Sequence, residues 1–337
     1  MKRSPKYILS SVFAAMLFAT NSFAQRTPPP ARPRPPQPAI VVVQTPPNEF
    51  ETTERSVVTD PRVSIKLCVS EGILKINGWS RDEVRLFIRN GSTPGIKVLE
   101  TNQDSNKPNW ILISRAANPG KIAEMESDCI SGQDIELDVP MAASLEVRGR
   151  NADVAVDSVR KFTIKNIEGN ISLRNISNGI NASTFQGDIT AEDSSGAITL
   201  ESSTGNILAY GITAGQIGDA FRAKTSSGAI SLQKVATRQI DANSISGTVK
   251  FFGKFDGGGI YNFKTSNGSI ELNIPADSSA TFKASYGFGT FSSQIPLKIL
   301  YKDEQLPVRN LGATCGSGEA SVVLTTNSGS VLIKNGD

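Results

Sequence analysis

A short pattern built around glycine recurs nine times in this chain and constrains its fold more than any other feature. In each copy, apolar residues follow the glycine two and four positions later, as in Gly196-Ala-Ile198-Thr-Leu200. The nine glycines are Gly72, Gly169, Gly187, Gly196, Gly205, Gly228, Gly247, Gly268 and Gly329. Such self-similarity is typical of a repeat architecture, in which each unit buries its apolar face against the next.

The spacing of these glycines predicts the size of one repeat. Gly187, Gly196 and Gly205 are nine residues apart, whereas Gly228 and Gly247 are 19 apart. A coil with two short strands per turn explains both intervals and predicts rungs of about 18 to 21 residues with a glycine at each corner. The chain is therefore predicted to be all-β, with almost no helix and roughly eight rungs. The alternative is an antiparallel β-sandwich, because Ser-Gly and Asn-Gly also suit hairpin turns.

Composition divides the chain into four segments. Residues 1–24 have the cationic start, 14-residue apolar run and small-residue end of a secretory signal peptide. Nine prolines among residues 25–47 predict an extended spacer. Residues 48–140 alternate apolar and polar residues and are expected to form an N-terminal β segment or cap of the solenoid, and residues 141–337 carry the glycine-repeat solenoid. The mature protein is thus expected in the periplasm, on the cell surface or secreted, without a membrane span.

Charge and histidine content exclude several functions. The net charge of +3 comes from the three cations of the signal peptide, so the rest of the chain is neutral and predicts no nucleic-acid partner. Histidine is absent, which excludes Ser-His-Asp and Cys-His nucleophiles and histidine-ligated metals. We expect no catalytic, cofactor or metal site. The carboxylates Asp188, Glu192, Asp193 and Asp219 are the remaining candidates for glycosidic or lyase chemistry, but they are scattered on outward positions.

Three cysteines fit an exported protein. Cys68 and Cys129 are the candidate disulfide, since both lie in the N-terminal β segment. Cys315 would then be either buried or available for an intermolecular bond.

Two further residue groups have a functional and a structural interpretation. The hydroxyls of the Thr-Ser-x-Gly corners, such as Thr225 and Thr265, form either a ligand surface or, as we favour, hydrogen bonds within their own turns. The aromatic residues between 251 and 291 either stack on sugars or fill and close the C-terminal core, which is the interpretation we favour.

Several segments resemble the bacterial adhesin-like family known as domain-of-unknown-function family 4097. The resemblance rests on residues 72–84, on the tandem Ser-Gly-x-Ile units, on residues 263–276 with Pro275, and on residues 323–333. It implies a right-handed parallel β-helix-like solenoid at the cell envelope with an adhesive or scaffolding role, and it implies no catalytic residues.

The sequence therefore predicts an exported, non-enzymatic module that binds a cell-surface or envelope component, either polysaccharide or protein. Two other functions remain open. One is a carbohydrate-active β-helix enzyme, which would need clustered carboxylates in a groove. The other is an envelope-stress signalling accessory that binds a membrane protein.

Overall fold

The computed structural model describes residues 51–116 and 128–336, and within them it contains 25 β-strands and no helix. This confirms the predicted all-β class. The predicted signal peptide at 1–24 and proline-rich spacer at 25–47 lie outside the described residues. Strands of alternating burial, such as Ile180–Gln186, place every second side chain in the core and its neighbours outside.

The strands fall into three groups along the chain. The N-terminal group is β1 Thr52–Val58, β2 Ser64–Trp79, β3 Glu83–Gly91, β4 Pro94–Thr101, β5 Pro108–Arg115, β6 Ile130–Pro140 and β7 Ser144–Asp157. The repeat group is β8 Lys161–Glu168, β9 Ile171–Arg174, β10 Ile180–Gln186, β11 Ile189–Glu192, β12 Ile198–Thr204, β13 Ile207–Tyr210, β14 Phe221–Ser227, β15 Ile230–Gln233, β16 Gln239–Ser246, β17 Val249–Phe252, β18 Ile260–Thr265 and β19 Ile270–Ile274. The C-terminal group is β20 Ala280–Tyr286, β21 Phe291–Ser293, β22 Lys298–Asp303, β23 Arg309–Cys315, β24 Ala320–Thr326 and β25 Val331–Asn335.

In the repeat group, each rung consists of one longer and one shorter strand, and successive rungs pair in parallel. The longer strands follow the order β8, β10, β12, β14, β16 and β18, and the shorter ones the order β9, β11, β13, β15, β17 and β19. Equivalent apolar residues stack on one another, since Ile180 pairs with Ile198, and Ile198 pairs with Phe221 on the next rung. The stacking is solenoid-like, and its parallel pairs differ from the hairpins of the sandwich alternative.

The rungs are less uniform than the sequence predicts. Ile180 and Ile198 are 18 residues apart, but Ile198 pairs with Phe221, 23 residues further on. The predicted range of 18 to 21 is therefore wrong for this rung, because a loop at residues 211–220 lengthens the connection between β13 and β14.

Both ends of the stack depart from the order of the sequence. The strand β24 lies between β18 and β20, so the last rung stacks directly on the repeat group while an earlier segment lies beyond it. At the other end, the long strand β2 pairs in parallel with β7 on one side and with β5 and β6 on the other. Thus β2 is itself a rung in the same stack as the segment after residue 140, and residues 49–337 form one compact unit.

The corner glycines form two stacks. Seven of them lie in one stack, in which a Cβ would overlap a carbonyl oxygen of the preceding rung: Gly169, Gly187, Gly205, Gly228, Gly247, Gly268 and Gly329. Gly187 shows both reasons for glycine, since its φ is +142° and a Cβ there would lie 2.2 Å from the carbonyl oxygen of Gly169. Gly196 belongs to a second stack beside Gly179, which explains the nine-residue spacing, and Gly72 lies within β2 against Gly132.

Buried hydroxyls accompany the first glycine stack. Thr225 is 1% exposed, and its Oγ1 donates to the carbonyl of Gly205 on the preceding rung. Equivalent bonds of 2.8–2.9 Å run from Ser202, Ser244, Thr265 and Thr326 to the carbonyls of Gly187, Gly228, Gly247 and Gly268. The favoured interpretation needs correction, because these hydroxyls join neighbouring rungs and do not bond within their own turns. One rung is thereby tied to the next.

The C-terminal aromatic residues mostly fill the core. Phe251 stacks on Phe255 with ring centroids 5.1 Å apart, and Tyr261 and Phe263 pack against Phe251. Phe282 is fully buried beside them. The core interpretation fits these rings, whereas Phe288 is 70% exposed.

Candidate binding cleft

Two of the four candidate carboxylates are engaged in hydrogen bonds to backbone N–H groups. Asp188 accepts the backbone N–H of Asn206 at 2.7 Å, and Asp219 accepts two backbone N–H groups at 2.8 and 2.9 Å. Asp219 is 8% exposed, so its predicted outward position is wrong, since its carboxylate closes the turn of the long loop. Glu192 ends β11 and Asp193 follows it with a φ of +46°. Among the described residues no hydrogen bond joins any two of the four.

The cysteines are likewise assigned by the structure. Cys68 and Cys129 form a disulfide with their Cα atoms 4.5 Å apart, which links β2 to the residue before β6. Cys315 is a free thiol at the end of β23, and burial raises its pKa. A buried thiol of raised pKa is a poor nucleophile at neutral pH. The described part of the chain contains no group of three or more Cys, Asp or Glu side chains that could hold a metal ion.

A polar cleft of about 640 Å³ lies on the outer face of the N-terminal strands. Its lining includes one tryptophan, three carboxylates and three cations together with hydroxyls and amides. The lining residues are Asp60, Arg62, Ser64, Ile65, Lys66, Glu100, Asn102, Asn109, Trp110, Ser144, Leu145, Glu146, Lys161 and Thr163.

Strand register arranges the floor of the cleft in rows. One row crosses five neighbouring strands, β4, β5, β2, β7 and β8, at the positions Glu100, Trp110, Ser64, Ser144 and Lys161. With a strand spacing of about 4.8 Å, this row spans about 19 Å. The alternate residues of β2 and β7, Ile65 and Leu145, turn inward and are buried. The floor is therefore fixed by the core beneath it.

Charges in the cleft are balanced and partly paired. Lys66 lies 3.4 Å from Glu146, and its Nζ is 5.4 Å from the centroid of the Trp110 ring. At the rim, the backbone N–H of Arg62 donates to the carboxylate of Asp60. This hydrogen bond is the main reason why the pKa of Asp60 lies below its ordinary value of 3.8. Asn102 adds a hydrogen bond of 2.9 Å to the same carboxylate. Asp60 thus stays ionised and orders the rim.

Sequence reasoning missed this cleft. Its residues come from positions 60 to 163 and meet only because β2 inserts between β5 and β7. In the sequence, Trp110 is simply the first apolar residue of a strand. The one signal in the sequence that could indicate a binding site was a tryptophan on an outward position. Its meaning depends on the order of the strands, which local residue spacing does not reveal.

Fold and cleft together define an all-β repeat protein with a polar surface site. The chain belongs to the Toastrack DUF4097 family, whose model matches residues 153–334. This confirms the resemblance to the family, although residues 72–84, which also suggested it, lie outside the match. The family match begins within β7, so it covers the repeat and C-terminal groups and leaves most of the cleft outside.

Comparison with solved structures gives three distant similarities. A "putative cell adhesion protein" from Clostridium sporogenes ATCC 15579 is 12% identical, covers 85% of this chain and 100% of its own, and has a TM-score of 0.24. A "putative adhesin" from Parabacteroides distasonis ATCC 8503 is 10% identical, covers 85% and 98%, and has a TM-score of 0.40. A "putative adhesin" from Bacteroides fragilis NCTC 9343 is 12% identical, covers 85% and 97%, and has a TM-score of 0.33. Comparison with curated proteins finds no match.

Within the described residues, no helix has the length and hydropathy that crossing a bilayer would require.

Proposed function

We propose that this protein is an exported, non-enzymatic module of the cell envelope that binds a surface polysaccharide or protein as an adhesin or scaffold. The Trp110 cleft carries the proposal, because it places an aromatic ring and mixed hydrogen-bonding groups on a rigid outer face. The repeat behind it would be a right-handed parallel β-helix-like solenoid, for which the in-register parallel strands are the support. Its location would be the periplasm, the cell surface or the medium, as the signal-peptide pattern of residues 1–24 predicts.

The arrangement of carboxylates favours binding over catalysis. Hydrolysis of a glycosidic bond needs two carboxyl groups about 5 to 9.5 Å apart, one of them with a suitably raised pKa. In the cleft, Asp60 has a lowered pKa and Glu146 is paired with Lys66. Asp60 therefore stays ionised at neutral pH and does not serve as a general acid.

The purified full-length chain tests the proposal in incubations with polysaccharides, matrix proteins and isolated cell envelopes. Saturable binding to one class of partner, with no new reducing ends or unsaturated sugars in the same incubations, is the expected result. Cleavage products would contradict the non-enzymatic function and favour a polysaccharide-degrading enzyme. Heat-denatured protein serves as the control for non-specific adhesion.

A further inference from the structure

The two tryptophans of the chain differ in how many contacts their side chains make with described residues. The indole N–H of Trp79 donates to the carbonyl of Glu83 at 2.7 Å, and two arginines, Arg81 and Arg85, lie 5.0 and 5.3 Å from its ring centroid. Among the described residues, Lys66 is the cation recorded near the Trp110 ring, and the indole N–H of Trp110 makes no hydrogen bond with a described residue. Among the described residues, Trp110 thus makes fewer contacts than Trp79, and it lines the cleft.

The polar groups around Trp110 supply both donors and acceptors. Arg62 and Lys161 bring N–H donors and Glu100 brings acceptor oxygens, and among the described residues these three side chains form no ion pair with one another. Oδ1 of Asn109 is shielded from solvent and has no hydrogen-bond partner within the described residues. A buried acceptor without a partner is unfavourable, so a local movement that lets a ligand hydroxyl donate to it would be favourable.

Charge balance narrows the ligand class. The lining holds three cations and three carboxylates. A polyanion would need a surplus of positive charge, and a basic peptide would need the reverse. A neutral saccharide matches a cleft that has balanced charge, an indole ring and both donors and acceptors. Its rings offer apolar C–H faces to the indole, and its hydroxyls both donate and accept hydrogen bonds.

We propose, on the basis of the function proposed above, that this cleft binds a neutral saccharide chain. One sugar ring stacks on Trp110, and the adjacent sugars of the chain lie along the row from Glu100 to Lys161. The row of about 19 Å crosses four strand intervals, so several consecutive sugar units contact it. Binding then increases with chain length up to the length of the row and changes little with ionic strength, since no net charge is neutralised.

Fluorescence of the full-length W79F variant tests this, because Trp110 is then the only tryptophan. The probes are neutral tetrasaccharides of glucose and of N-acetylglucosamine, with oligogalacturonate and oligolysine as charged counterprobes. A neutral tetrasaccharide should give a saturable change in Trp110 emission that persists at high salt. In calorimetric titrations of the otherwise native chain, Trp110→Ala should weaken binding about tenfold or more, the loss expected for one stacked ring, and Trp79→Ala should leave it unchanged.

A second variant guards against misfolding of Trp110→Ala. Lys161→Gln, at an exposed position on β8, should weaken the same binding severalfold with an unchanged circular dichroism spectrum. Equal binding by native chain, Trp110→Ala and Lys161→Gln would overturn the site. Binding of the charged probes alone would overturn the ligand class. If a protein partner binds the chain while neutral sugars do not, the saccharide assignment fails and the adhesive function stands.

Discussion

The repeat group and the N-terminal strands both bury apolar side chains between paired strands, but their strand lengths and strand order differ. Between β8 and β19, each rung repeats its neighbour, and glycine carbonyls and buried hydroxyls bond from rung to rung. Between β1 and β7, several strands are longer, the order is permuted and a disulfide links β2 to the residue before β6. The 640 Å³ cleft lies almost wholly in this second region. The repeat group also has smaller cavities, such as one of about 280 Å³ lined by Ser183, Glu201 and Lys224, but the cleft with the tryptophan lies where the strand order departs from regular repetition.

The largest expected effect concerns the disulfide that holds the permuted end. Replacing both Cys68 and Cys129 by Ala should lower the free energy of unfolding by about 4 kcal/mol, because the bond closes a loop spanning 61 residues. Chemical denaturation measures the change. Cys315→Ala, which removes a thiol outside any disulfide, is the control and should have a smaller effect. A loss below about 1 kcal/mol for the double variant would mean that strand pairing alone holds this end.

The glycine stack of the repeat group provides the second prediction. Gly268→Ala should destabilise the protein by about 3 kcal/mol, because its Cβ would overlap the carbonyl of Gly247 although its φ is not in the left-handed region.

Gly218→Ala is the matched control for the glycine stack. Gly218 has a φ of +95°, but a Cβ at this position would meet no atom within 4 Å, so only backbone strain of about 1 kcal/mol is expected. Thermal denaturation of both variants distinguishes the cost of a Cβ overlapping the preceding rung from the cost of an unfavourable backbone conformation. Equal losses would show that rung contact at Gly268 is not the reason for glycine.

A smaller effect is expected for the buried hydroxyls that donate to glycine carbonyls of the preceding rung. Thr225→Val keeps the shape of the side chain but removes the bond to Gly205, and should cost about 1 kcal/mol. Thr199→Val, on an outward position of β12, should change stability by less than about 0.5 kcal/mol. Urea titrations of the two variants compare them. If the Thr225 variant is as stable as the Thr199 variant, these hydroxyl bonds do not contribute measurably to the stability of rung stacking.

The smallest effect concerns Asp60 at the cleft rim. Its pKa is lowered chiefly by the N–H of Arg62, so its stabilisation is complete above its ordinary value of 3.8 and disappears as pH falls through the lowered pKa. Asp60→Asn should therefore cost at most about 1 kcal/mol at neutral pH, since the group is partly exposed, and nothing in strong acid. Melting temperatures across this pH range measure it. A difference that persists in strong acid would contradict the ionisation argument.

Local pattern was sufficient for the scaffold and insufficient for the cleft. The alternation around Gly196 and Gly205 predicts all-β structure and a two-strand rung, because glycine and apolar spacing act within a few residues. It does not reveal that Gly196 stacks at a different corner, or that residues 211–220 lengthen one rung. Both depend on which segment lies next to which.

By itself, the sequence determined the class of fold and most of the inward residues, since these follow from short-range periodicity and steric limits at glycine. The family was indicated by the resemblance of particular segments and is shown by the family match over residues 153–334. The tertiary structure alone decided the order of the end rungs, the rung-to-rung use of the hydroxyls and the meeting of Glu100, Trp110 and Lys161. These depend on β2 entering between β5 and β7. That choice is made by burial and backbone pairing between segments up to about a hundred residues apart, to which no local pattern is sensitive.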